Sequence, residues 1–113
     1  MTEQKKAKKT ELGLQPNVAG LLCYLFGFIS GIIFIVLEKK NKFVRFHALQ
    51  SIVAFGALFM LGIVGPFIPL VGWMLIPLLA ITYIVLWFVL MIKAYKGEMY
   101  KLPIAGDIAE KNS

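Results

Sequence analysis

Between Glu38 and Glu98 the chain carries no acidic residue, and its single histidine and single cysteine lie inside apolar stretches. An acid–base pair, a nucleophile with its base, or a zinc site needs side chains that this pattern does not supply. Cys23 has no second thiol for a disulfide and no ligand at metal spacing, so it reads as a packing residue. What remains is one short polar constellation, His47-Ala48-Leu49-Gln50-Ser51. On a helix, His47, Gln50 and Ser51 fall within a single arc of about 100°, while Arg45 points well away. Facing lipid, each of the three would be unfavourable, so the face is expected against another helix or a water-filled entrance. It is then either a polar site for a substrate, a headgroup or a translocating chain, or a set of interhelical hydrogen bonds worth about 0.6–2 kcal/mol each. Arg45 either snorkels to headgroups or pairs with Glu38 across the short loop. No enzyme activity, cofactor or metal is expected.

The elements that hold this face are set by the distribution of charge. The chain has 113 residues, 59% of them apolar and 16% charged, with a net charge of +6. All charges fall in 1–11, 38–45 and 93–111, which leaves uncharged blocks at Leu12–Leu37 and Phe46–Ile92. A helix that long without a charge has no face for water. A soluble enzyme, a nucleic-acid-binding domain and a disordered chain are excluded, and the basic balance reads as membrane orientation and attraction to anionic headgroups near the basic loop.

About 20 apolar residues cross a bilayer. The sequence predicts an all-α polytopic membrane protein with three transmembrane helices over about 18–37, 46–65 and 70–92, the last two forming a tight hairpin broken at Gly65-Pro66-Phe67-Ile68-Pro69. Residues 1–17 form a polar, Lys-rich tail, 18–92 the helical domain, and 93–113 a second polar tail that is either solvated or docked. Pro77 kinks the third helix or marks its start, in which case 66–76 is interfacial or re-entrant. Lys39, Lys40, Lys42, Arg45, Lys93, Lys96, Lys101 and Lys111 on one side outnumber Lys5, Lys6, Lys8 and Lys9 on the other. The Lys/Arg rule therefore puts loop 38–45 and the C-terminus in the cytoplasm. A first segment that dips and returns would instead place every charge on one face, and such buried non-helical backbone would favour a conduit.

Gly20, Cys23, Gly27 and Gly31 line the first span as candidate helix-packing residues, and Gly27–Gly31 is a GxxxG spacing. Trp73 and Trp87, with Tyr95 and Tyr100, fit interfacial anchoring.

The strings NVAGLLCYLFGFISGIIFIVLEKKNKFVRFHALQS (17–51) and MIKAYKGEMYKLPIAGDIAEK (91–111) resemble a group of small uncharacterised prokaryotic membrane proteins often described as similar to the membrane component of the chloroplast Tic protein-import machinery. The resemblance implies a small helical bundle in a prokaryotic cytoplasmic membrane. Two functions follow: a structural or accessory component that binds a partner in protein translocation or membrane-protein assembly, or an oligomeric pore or carrier. Self-association and contact with other membrane proteins are the expected interactions besides the bilayer.

Overall fold

The structure is a computed structural model that describes residues 15–113. The N-terminal lysines 5, 6, 8 and 9 lie outside the described residues. All regular structure among the described residues is helical: α1 (Pro16–Leu25), α2 (Phe28–Leu37), α3 (Lys42–Val64), a 3-10 turn (Gly65–Phe67), α4 (Gly72–Tyr95) and α5 (Ala105–Asn112).

The single helix expected over 18–37 is instead two helices of 10 residues each. Each is about 15 Å long, half the hydrocarbon thickness. The break has a local cause. Gly27 sits at φ +64° and ψ −138°, a conformation open to glycine and rarely taken by other residues. Ser30 then stabilises the corner. Its hydroxyl accepts from the Phe26 amide at 3.1 Å and donates to the carbonyls of Cys23 (2.8 Å) and Gly27 (3.1 Å).

The contacts along α3 and α4 show that the chain reverses at Gly27. Asn17 Nδ2 donates to the Tyr95 carbonyl at the far end of α4, and a Cβ on Gly20 would meet Phe43 and Ala94. Gly27 lies beside Phe55 and Tyr83, near the middles of α3 and α4. Phe28 packs on Phe59, Gly31 meets Ala48 and Ser51, and the Ile35 carbonyl is back at Arg45. α1 and α2 therefore form a helical hairpin whose open end is level with Lys42 and Tyr95 and whose tip reaches about half the depth of α3 and α4.

Among the described residues two helices, Lys42–Phe67 with its 3-10 turn and Gly72–Tyr95, are long and apolar enough to cross a membrane. α3 begins at Asn41, whose Oδ1 accepts from the Val44 amide at 3.2 Å. Pro77 sits in the second turn of α4, which continues through it, so residues 66–76 form the end of one helix, a turn and the start of the next. Ile81, Ile84, Val85 and Phe88 on α4, with Phe59, Met60 and Ile63 on α3, are exposed. An apolar surface of that extent is stable against hydrocarbon and not against water. The core is narrow. Tyr24, Phe55, Leu90, Ala94, Leu102 and Ala105 form one buried group, and Ala19, Cys23, Phe34, Val44 and Ala48 the other. The C-terminal tail is docked, with Leu102, Ala105 and Ala109 buried beneath the bundle.

Candidate functional site

The polar face of α3 is completely buried: His47, Gln50 and Ser51 each have zero exposure. It splits into two groups. His47 and Gln50 converge with Tyr24 of α1 on the segment 98–102, which is neither helix nor strand. Tyr24 Oη lies 2.6 Å from His47 Nδ1 and accepts from Gln50 Nε2 at 3.0 Å. His47 Nε2 is 2.9 Å from the Glu98 carbonyl. Gln50 Nε2 donates to the Tyr100 carbonyl at 2.8 Å, and Gln50 Oε1 accepts from the Leu102 amide at 2.9 Å.

These partners assign the protons. A main-chain carbonyl only accepts, so His47 Nε2 carries hydrogen and donates to Glu98. Tyr24 then donates its one proton to Nδ1 and keeps a lone pair for Gln50. A ring protonated at both nitrogens would leave the phenol proton without an acceptor. The bonds close with the Nε2–H tautomer, and both nitrogens of His47, both amide protons of Gln50 and both functions of Tyr24 are used. Phe43, Phe46 and Tyr24 stand edge-on to the imidazole at centroid distances of 4.6, 5.1 and 5.4 Å and close the site from lipid. The arrangement is built to hold backbone.

Ser51 serves the hairpin tip, donating to the Gly27 carbonyl at 2.7 Å. Trp87 Nε1 donates to the carbonyls of Tyr24 (2.8 Å) and Leu25 (3.2 Å). Trp87 is thus not the interfacial anchor expected from its place in the sequence; it caps the broken end of α1 at mid-depth. Trp73, at the opposite end, is 72% exposed. At the charged end Tyr95 and Tyr100 are exposed as well.

Arg45, the candidate loop partner of Glu38, meets that residue through its main chain. Arg45 Nη1 donates to the carbonyls of Glu38 (3.0 Å) and Ile35 (3.3 Å), capping the C-terminus of α2, and Nε reaches the Ser113 carbonyl at 3.2 Å. The Glu38 carboxylate accepts from the amides of Lys40 (3.3 Å) and Asn41 (3.1 Å), ahead of α3.

The four candidate packing residues are all used within the chain. Gly20 faces Phe43, His47 and Ala94; the Cys23 thiol is 3.7 Å from the Val44 carbonyl; Gly27 makes the corner; and a Cβ on Gly31 would stand 2.7 Å from the Ala48 carbonyl. The Gly27–Gly31 spacing is therefore a turn followed by a close approach, not one stripe on one helix. Lys101 pairs with Glu110 at 3.0 Å, and that hydrogen bond, with the carboxylate charge behind it, holds the ammonium above the ordinary lysine value.

Sequence reasoning missed Tyr24 and the hydrogen-bonding role of Trp87, and it left the tail as either solvated or docked. A phenol and an indole N–H inside uncharged segments were the available signals, since each needs a partner away from water.

A family model described as the magnetosome magnetite crystal formation protein family matches residues 11–109. Among similar proteins, a UPF0132 membrane protein of Methanocaldococcus jannaschii is 58% identical over 105 residues, covering 93% of this chain and 94% of that one. A second from the same organism is 51% identical over 100 residues, covering 88% of this chain and 71% of the relative. One from Archaeoglobus fulgidus is 46% identical over 98 residues, covering 87% and 95%. These relatives are archaeal membrane proteins, and nothing in the matches links the chain to the chloroplast Tic component that its strings suggest. No solved structure matches.

Proposed function

The chain belongs to the magnetosome magnetite crystal formation protein family, which includes the UPF0132 membrane proteins, and from that premise we propose that it is a two-span membrane protein with a half-depth helical hairpin, acting as an accessory component that binds a partner protein at its charged end. One observation carries the reading: the polar groups brought to mid-depth are taken up by the chain itself. Ser30, Ser51 and Trp87 occupy the carbonyls of Cys23, Tyr24, Leu25 and Gly27, which supports a packed wedge over an open path. Gly31 is likewise spent on an intrachain approach, so self-association is not needed to bury it.

What faces outward is an apolar belt for lipid and an end that bears Lys39, Lys40, Lys42, Lys93, Lys96, Lys101 and Lys111. Residues 65–71, at the other end, carry no charge. The Lys/Arg rule makes the charged end cytoplasmic. α1 also starts at that end, as a first segment that dips and returns would require. The membrane setting is supported by the relatives, which are membrane proteins. Among the described residues no group of three or more His, Cys, Asp and Glu side chains stands together for a metal ion.

The test is cysteine accessibility in intact cells on a Cys23→Ser background, combined with flux through reconstituted vesicles. An impermeant thiol reagent labels a cysteine at 67 and spares those at 41 and 105, while the vesicles stay sealed to ions and small solutes. Labelling at 41 or 105 would overturn the topology. Flux would favour the second reading, an oligomeric conduit, for which the broken helix pair at mid-depth is the supporting observation.

A further inference from the structure

The grip on residues 98–102 follows a pattern. Glu98 and Tyr100 offer carbonyls and Leu102 an amide, at i, i+2 and i+4 of a stretch without regular structure, and all three are met from one side, the spacing of the groups on one edge of a β-strand. His47 and Gln50, one helical turn apart on α3, meet that edge with two donors and one acceptor. Apart from Leu102, whose side chain is buried beside Tyr24, Phe55 and Leu90, nothing in this grip reads side chains. Beyond those three bonds the segment is held at its flanks. It leaves α4 through Gly97 at φ +82°, its flanking helix buries Ala105, Gly106 and Ala109 and ends on the Ser113 carbonyl that Arg45 Nε holds at 3.2 Å, and its ion pairs, Lys93–Glu98 and Lys101–Glu110, are surface ones.

We infer that residues 98–102 are a replaceable latch over a main-chain-reading cleft formed by Tyr24, His47 and Gln50, and that an extended segment of a partner protein, with an aliphatic side chain at the place of Leu102, exchanges with it. The inference rests on the partner-binding reading above and names its site. A peptide fits better than a lipid headgroup on donor count. Gln50 Oε1 needs a donor, which the Leu102 amide supplies and a phosphate group does not. The cleft lies at the charged end, so its polar groups can turn to water during exchange, which lowers the barrier to opening.

Two experiments on the full chain in lipid nanodiscs test this. In the unmodified protein, the amides of Leu102 and Ala105–Ala109 exchange with deuterium together and on the order of 100-fold faster than those around Phe55, because the latch opens without global unfolding. Exchange at the same rate as the α3 core overturns the proposal and leaves partner binding elsewhere untouched. In the second, Leu102→Asp frees the cleft by weakening the tethered segment, which otherwise competes at millimolar effective concentration. A fluorescent synthetic peptide of residues 97–113 then binds Leu102→Asp at least about tenfold tighter than the unmodified chain, and adding Gln50→Ala removes the binding. A Leu102→Asp protein that keeps its helicity and does not bind the peptide refutes the exchange. If that variant fails to fold, the deuterium result on the unmodified chain decides.

Discussion

Replacing Gly27 by alanine separates a straight first helix from a broken one, because the two predict opposite signs. In a continuous helix over 18–37, Gly27→Ala would stabilise by about 0.5–1 kcal/mol through helix propensity and the lost freedom of glycine. In the observed hairpin residue 27 holds φ +64° and ψ −138°, which costs a residue with a Cβ about 1–3 kcal/mol. The new methyl also collides with the Tyr83 hydroxyl, while the ring carbon Cζ, at 3.5 Å, and Phe55 Cβ, at 3.8 Å, are in ordinary contact. Overpacking of this kind adds about 1 kcal/mol or more. The net expectation is a loss of about 2–4 kcal/mol. The assay is reversible unfolding in mixed micelles followed by tryptophan fluorescence, since Trp87 caps the corner. A Tyr83→Phe background isolates the steric part: there Gly27→Ala loses about 1 kcal/mol less, and what remains is the backbone term. Unchanged or raised stability in Gly27→Ala would refute the broken-helix account and restore a continuous span.

Other perturbations probe the remaining contacts. Trp87→Phe keeps the ring packing but takes the indole donor from the Leu25 carbonyl and leaves the Tyr24 carbonyl with the Gly27 amide alone, and a loss of about 1–3 kcal/mol is expected in the same micelles, followed by circular dichroism because the fluorescent reporter is gone. Ser30→Ala releases the Phe26 amide and the Cys23 carbonyl and removes one of the two hydroxyls on the Gly27 carbonyl, so it destabilises more than Ser51→Ala, which removes only the other; paired thermal melts rank them. Arg45→Lys cannot hold the Ser113 carbonyl as Nε does while a second nitrogen spans the Ile35 and Glu38 carbonyls, and it lowers stability by about 0.5–1.5 kcal/mol, most visibly as faster hydrogen exchange at the end of α2. Glu110→Gln leaves the thermal midpoint unchanged. The raised Lys101 value makes this pair stabilising at neutral pH and lost only as pH rises through that value, but Lys101 is fully exposed and water screens the gain.

Much of the architecture was legible in the chain. Uncharged blocks bounded by lysine clusters identify a membrane protein, and the two prolines at 66 and 69 place the turn between the long helices, because proline removes the bonds a helix needs. The polar spacing of His47, Gln50 and Ser51 located one face, and the face is where the polar contacts lie. Composition decided the solvent of the fold, since 59% apolar residues without interior charge leave hydrocarbon as the stable surroundings.

Tertiary structure decided the rest. Whether 18–37 is one helix or two turns on Gly27, and a glycine inside an apolar run is silent about its φ. The answer depends on Ser30, Ser51 and Trp87 receiving the freed backbone groups, and two of those three lie on other helices. The partners of His47 and Gln50 are main-chain atoms about 50 residues away, and a carbonyl or amide looks the same at every position of a sequence. Only the folded chain shows which carbonyls those side chains meet.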